Sequence, residues 1–237
     1  MLVAGAAIVM AARKIHAKAK KVAAHLLEVS EADLDWEFGR FKVKGDTSKF
    51  KTMKDLCWAA YNTVPAGLEM GLEAVHCYDP PNVTCPFGID LCVLDIDRST
   101  GETRVRRFYS LDDCGTRINP MIIEGQIHSG LTEGYAVAMG QQMPFDNQGN
   151  HLANTLIDFR LPTAVETQHW ATDHAVTPSQ HRPIGAKGVA ETSHVGSIPI
   201  LTSAMVDASA RVGVTDMSMS HSAYRVWQQL KASGLNL

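Results

Sequence analysis

Hydrophobic positions fall into helical spacing at both ends of the chain and into alternation between them. Residues 1–12 form an apolar, alanine-rich run. Beyond it Ile15, Val22 and Leu26 share one helical face, and Arg13, Lys14, Lys18, Lys20 and Lys21 take the other. One long helix is expected to about Leu27. Twelve residues rise about 18 Å as a helix, too little to cross a bilayer core. The basic residues follow the apolar run, whereas a signal peptide places them first. No Ser, Thr, Asp or Asn precedes the run. The pattern therefore predicts a helix cut from a longer protein, its apolar start covered by another part.

Ser30 suits a cap or turn. Leu34, Trp36 and Phe38 alternate, Gly39-Arg40 turns the chain, and Phe41 and Val43 alternate again, a hairpin that Lys44-Gly45-Asp46 ends. Thr52 can cap a helix over residues 53–61, and residues 72–78 read as a strand. The strongest strand pair is 89–97 with 104–111, with Leu91, Val93, Val105 and Phe108 on one apolar face. Asn119-Pro120 opens a helix that Gly140 stops. Residues 198–210 and 221–231 read as two more helices. Mixed helices and antiparallel hairpins make this an α+β chain, without repeats or low-complexity tracts.

Composition narrows the classes. The 237 residues are 45% hydrophobic and carry 22 basic and 25 acidic side chains, for a net charge of −3. That balance excludes a disordered polar chain and an integral membrane protein, and argues against nucleic acid as a partner. Cys57, Cys77, Cys85, Cys92 and Cys114 form no C-x-x-C pair and suit neither a zinc site nor a compact disulfide framework. A pairing of Cys85 with Cys92 stays open. The set points to a reducing, cytoplasmic compartment.

Two segments carry chemistry. Asp112-Asp113-Cys114-Gly115-Thr116-Arg117-Ile118-Asn119-Pro120 places a strand end, a glycine turn and a helix start in nine residues. Such a turn presents backbone N–H groups beside the positive end of a helix dipole, a seat for phosphate. On spacing alone it reads first as an ordinary strand-to-helix turn. Pro183-Ile184-Gly185-Ala186-Lys187-Gly188-Val189-Ala190-Glu191 gathers small residues around one Lys and one Glu. Glycine lets a backbone approach a ligand closely. Lys187 can meet an anion and Glu191 can act as a base; taken singly, both read first as solvated surface residues.

Together these segments resemble the large subunit of the molybdenum hydroxylases, the xanthine oxidase family. Asp113-x-Gly115-x-x-Ile118-Asn119-Pro120, followed by Glu124-Gly125-Gln126, is similar to the family's segment flanking its molybdopterin cofactor. Gly188-Val189-Ala190-Glu191 resembles its glutamate-bearing loop at the metal. Within the family the likeness is greatest to the aerobic, molybdenum- and copper-containing carbon monoxide dehydrogenase branch. Gly71-Leu72-Glu73-Ala74-Val75, Tyr78-Asp79-Pro80-Pro81-Asn82 and Leu161-Pro162-Thr163-Ala164-Val165-Glu166-Thr167 also match that branch. The resemblance runs collinearly from about Val3 onward and covers only the C-terminal part of the longer family subunit. Residues 1–237 are thus expected to be the C-terminal portion of the molybdopterin-binding region, with the N-terminal part of the subunit a missing partner.

The resemblance implies the chemistry. Molybdenum would be held by molybdopterin cytosine dinucleotide, with no side-chain metal ligand. Copper would join it in a full-length subunit of the carbon monoxide dehydrogenase type. None of the five cysteines has the Ser-Phe-Arg context of that copper ligand. Glu191 would be the general base, and Cys114, Thr116, Asn119, Lys187, Gly188 and Val189 would contact the cofactor, with Gln126 and His128 as supports. The implied reaction is oxidation of carbon monoxide with water to carbon dioxide. Electrons would leave through an iron–sulfur small subunit and a flavin-binding medium subunit in a dimer of heterotrimers. The setting would be cytoplasmic, including peripheral attachment at the inner face of the membrane. The other readings are a hydroxylase of an aldehyde or N-heterocycle, and a non-catalytic truncated or docking chain. Ala190 stands where members of this branch have Gly, Thr192-Ser193 replaces a Ser-Pro pair, and Ser129 replaces a Gly. A position needing positive φ at 190 would be strained by the added methyl.

Overall fold

The computed structural model describes residues 2–234, which divide into two units. The first runs to Pro81 and includes Arg182–Ile184; the second comprises Asn82–His181 and Gly185–Leu237.

In the first unit the long expected helix, α1 (Leu2–Leu27), packs beside α2 (Met53–Asn62). Its contact face is small: Ala19 and Ala23 are buried there with Val22, against Leu56, Ala59 and Phe41. Alanines keep the side-chain layer thin and let helices approach. The apolar start of α1 is partly covered, with Ala6 buried and Val3 and Ile8 exposed. Ser30 caps a short 3-10 turn by accepting from the Ala32 N–H. The hairpin forms as β1 (Leu34–Glu37) and β2 (Arg40–Val43), but the chain continues into a third antiparallel strand, β3 (Asp46–Thr52). Thr52 then caps α2 in a reciprocal pair with Asp55, each side chain bonding the other's backbone N–H.

Residues 72–78 are not a strand. Their polar backbone groups find side chains instead of a ladder: Lys14 Nζ donates to the Val75 carbonyl at 3.0 Å and Lys18 Nζ to the Glu73 carbonyl at 3.1 Å. The Leu72 N–H donates to the Tyr61 hydroxyl at 3.2 Å. The lysine face of α1 therefore serves as a hydrogen-bonding edge rather than a purely solvated one.

The second unit is built on β4 (Phe87–Ile96) paired antiparallel with β5 (Thr103–Asp113), and on β6 (Ala171–Ala175), which adds parallel to β5. Cys92 faces Phe108 and Leu91 faces Tyr109 across the ladder. Asp90, Cys92, Leu94, Phe108, Ser110 and Asp112 thus point inward, while Leu91 and Val93 lie on the exposed side, opposite the face the sequence pattern gave them. Three helices complete the unit: α3 (Pro120–Met139), α4 (Thr192–Ala210) and α5 (Ala223–Ala232). Phe108, Leu131, Leu201, Met205, Val226 and Leu230 form its core. Trp170 meets Phe108 edge to face at 5.2 Å and donates to the Thr132 hydroxyl at 3.0 Å.

Helix α4 begins at Thr192, six residues before the point read from sequence. Pro199 sits inside it, where it removes a single i→i−4 hydrogen bond and hides the helix's continuity from pattern reading. The early turns of α4 pack against α3 with almost no side-chain layer. A Cβ on Gly130 would lie 2.5 Å from Ser193 Oγ, and one on Gly134 would lie 1.9 Å from Ser197 Oγ. Glycines four apart on α3 thus accept serines four apart on α4, and this contact fixes where α4 starts.

Candidate functional site

The two segments singled out in the sequence are stitched together at the end of β5. Gly115 and Ala186 form an isolated antiparallel bridge. The Lys187 N–H donates to the Cys114 carbonyl at 2.7 Å, and the Thr116 N–H to the Gly185 carbonyl at 3.1 Å. The Gly185 carbonyl also accepts from the Ser179 N–H at 2.9 Å. Gly115 and Gly185 both have φ of 68°, in the left-handed region. A Cβ on Gly115 would sit 2.3 Å from the Gly185 carbonyl oxygen, so this bridge requires glycine for closeness as well as for dihedral angle.

Asp113 locks the stitch. Its carboxylate is buried, and Oδ1 accepts from the Gly115 N–H at 2.8 Å and from Lys187 Nζ at 3.2 Å. Burial works against the charged carboxylate. Hydrogen bonds from Thr177 and the Gly115 N–H, with the Lys187 ammonium, outweigh it and hold the pKa below the ordinary aspartate value. Lys187 Nζ also stands 5.1 Å from the Phe87 ring centroid. Lys187, read from sequence as a contact to an anion, already has an anionic partner inside the fold.

The remaining expected residues are placed as follows. Cys114 is buried, which raises its thiol pKa against the opposing pull of Arg117. Thr116 is half-buried, and a Cβ on Gly185 would lie 2.7 Å from its hydroxyl. Asn119 caps α3, its side chain accepting from the Ile122 N–H at 3.3 Å, so it uses one of the helix-start donors a phosphate would take. Val189 packs against the core. A Cβ at Gly188 would meet nothing within 4 Å, so the backbone edge there is open. Glu191 is exposed at the cap position of α4 and makes no side-chain capping bond. Its preceding residue, Ala190, is not among the non-glycine residues with positive φ, so the methyl brings no backbone strain. Gln126 is exposed, and His128 Nε2 lies 3.3 Å from the Thr172 hydroxyl, tying α3 to β6.

Cys114 and Thr116 are thus brought against Gly185, Ala186 and Lys187, whereas Asn119 and Glu191 stand apart. The Gly130–Ser193 contact sets the start of α4 about halfway along α3. That is on the order of 15 Å along the helix axis from Asn119, at 1.5 Å per residue. Sequence reasoning gave no role to Asp113 or Arg117. The Nε of Arg117 is buried with no hydrogen-bond partner. An unpaired buried guanidinium donor and an open glycine edge at 188 fit an extended anionic group lying along this turn.

Residues 1–168 match the molybdopterin cofactor-binding domain family. The carbon monoxide dehydrogenase large chain of Hydrogenophaga pseudoflava is 75% identical over 99% of this chain and 29% of its own length. That of Afipia carboxidovorans is 58% identical over the same shares. A crystal structure of a Cu,Mo-CO dehydrogenase in its carbon monoxide reduced state superposes with a TM-score of 0.93 at 58% identity, again over 99% of this chain and 29% of that one. The chain therefore spans less than a third of the length of these relatives. Among the described residues, no helix is long and apolar enough to cross a membrane. By the match over residues 1–168, the chain belongs to the molybdopterin cofactor-binding domain family.

Proposed function

We propose that this chain is the C-terminal portion of the catalytic large subunit of an aerobic carbon monoxide dehydrogenase, which oxidises carbon monoxide with water to carbon dioxide. The observation that carries the reading is collinear identity to two large chains of that name along almost the whole sequence. The stitched turn at the end of β5 supports it, being built from the two segments the chemistry needs.

The group to be held is molybdopterin cytosine dinucleotide, with copper contributed elsewhere in the full-length subunit. Arg117 offers it an unpaired donor, Cys114 and Thr116 line the turn, and Gly188 and Val189 present an open backbone edge. Lys187 acts from behind this edge, fixed by Asp113 rather than reaching outward. Asn119 and Glu191 stand at the starts of α3 and α4, and only an extended group would reach both. When bound, the pterin-held molybdenum supplies the two-electron oxidation. Glu191 takes a proton at its carboxylate from the water that provides the oxygen. Two electrons and two protons balance the conversion of carbon monoxide and water to carbon dioxide. The electrons pass to iron–sulfur and flavin-binding subunits, in a dimer of heterotrimers located in the cytoplasm and at the inner face of its membrane.

The test is Glu191→Gln in the full-length subunit within its holoenzyme. Turnover is abolished while pterin and molybdenum contents stay near wild type. Retained turnover would remove Glu191 from the role of base.

A further inference from the structure

Opposite the Asp113–Lys187 lock, the inward face of the same strand pair carries a second acidic arrangement that the reaction above does not use. Asp90 of β4 stands directly across from Ser110 of β5, and Asp112 lies two residues further along β5 on the same face. Ser110 and Asp112 are buried, and the Ser110 hydroxyl donates to Asp112 Oδ2 at 2.9 Å. The first turns of α4 close over them. A Cβ on Gly196 would lie 2.3 Å from Asp90 Oδ2, and one on Gly88 would lie 3.2 Å from both Asp112 Oδ1 and Thr192 Cγ2. Asp90 Oδ1 and the Thr192 hydroxyl are both buried without a hydrogen-bond partner.

Proton counting decides what this can be. Ser110 has one hydroxyl hydrogen, and Asp112 takes it. Its oxygen is then free only to accept, and Asp90, across from it with Oδ1 buried and unpartnered, can meet it only as a donor, as a protonated carboxyl. Two bare carboxylates around one hydroxyl would leave a buried acceptor unmatched and two like charges close together.

We propose that Asp90 and Asp112 hold one proton between them through the Ser110 hydroxyl, and that protonated Asp90 is a positioning residue that seats the first turns of α4, and with them Glu191. The link to Glu191 rests on the proposed function; the shared proton does not. Desolvation raises the pKa of both groups; the Ser110 hydrogen bond opposes it at Asp112, and like-charge repulsion from Asp112 adds to it at Asp90. Asp112 is the charged neighbour whose field raises Asp90, and α4 meets Asp90 at Gly196, which does not titrate.

The test uses aspartate labelled with 13C at the carboxyl in the full chain, with Asp90→Asn and Asp112→Asn to assign the signals. Asparagine keeps a donor toward Ser110 and so mimics the protonated acid. Carboxyl signals titrating above the ordinary aspartate range are expected in the wild type, and each variant removes its own. One extra proton in the folded state makes the unfolding constant rise by up to about tenfold per pH unit between the ordinary aspartate pKa and the raised folded value. Asp90→Asn loses most of that rise and keeps wild-type stability at low pH, whereas Asp90→Ala is destabilised throughout. In the holoenzyme Asp90→Asn retains kcat, and its loss of kcat at high pH moves to higher pH. If every aspartate titrates in the ordinary range, or Asp90→Asn is as damaging as Asp90→Ala, the shared proton is refuted. If the signals behave as expected and the pH profile of kcat does not move, the positioning role is refuted while the proton stands. Retained turnover in Glu191→Gln, with the titrations unchanged, would instead locate the failure in the proposed function.

Discussion

Removing Lys187 is the sharpest test of how the two stitched segments are held. In Lys187→Met the aliphatic stem survives and the charge does not, leaving Asp113 as a buried carboxylate. The side chains are 9% and 0% exposed, so neither partner relaxes into water. Breaking a buried pair by removing one member costs about 3–5 kcal/mol, because the survivor keeps an uncompensated charge. Asp113 retains the Gly115 N–H, the shorter of the two hydrogen bonds at its Oδ1. The lower end, about 3 kcal/mol, is therefore expected, with about 0.5–1 kcal/mol of it from the lost contact with the Phe87 ring. Urea unfolding followed through the buried Trp170 reads the unit that contains the pair. Adding Asp113→Asn should recover about 1–2 kcal/mol, since the orphaned charge goes with it. The pH dependence follows from the depressed pKa of Asp113. Its contribution is fully present above the ordinary aspartate pKa and is lost as pH falls through the folded value. Without Lys187 that loss begins at higher pH. A cost below about 1 kcal/mol, as for an exposed pair, or strict additivity of the two substitutions would refute the lock.

Two further outcomes are expected. Gly134→Ala should cost about 1–3 kcal/mol, since its Cβ would lie 1.9 Å from Ser197 Oγ and force α3 from α4. Gly125→Ala on the same helix meets nothing within 4 Å and should be neutral or stabilising by about 0.5–1 kcal/mol, so paired thermal melts separate packing from propensity. Burial pushes the Cys92 thiol up to about 11, while Cys57, Cys77 and Cys85 are exposed. Iodoacetamide at mildly alkaline pH should modify those three well before Cys92 and the buried Cys114, read by peptide mass spectrometry.

The elements legible in the sequence are those with local punctuation. Asn119-Pro120 at one end and Gly140 at the other fix α3 to the residue, and Thr52 with Asp55 marks α2. What escaped pattern reading is set by distant chain. Strand β3 is mostly polar and exposed, so no alternation announces it, and β6 is Ala-Thr-Asp-His-Ala, a strand only because β5 lies beside it. On β4 both faces carry apolar residues, so the period of two was visible but its phase was not. The same division holds at the site. The glycines at 115 and 185 read as turns, but their closure on each other, and the partnership of Lys187 with a carboxylate 74 residues earlier, depend on tertiary packing.

The end of β5 shows how a strand terminus can govern a loop from both sides. Consecutive strand residues point to opposite faces, and here both consecutive residues are buried acids. Asp113 turns to one face and binds Lys187, fixing the chain just before Gly188. Asp112 turns to the other and joins Ser110, and Gly88 separates it from the Thr192 methyl, so it backs the chain just after Glu191. The stretch 188–191 is thus held at each end by adjacent residues of one strand. A substitution at either aspartate should disturb it without touching it, and the two should couple although their side chains face apart. Replacing both and measuring a cost that differs from the sum of the single costs is the result this arrangement requires; additive costs would mean that each acid holds only its own side.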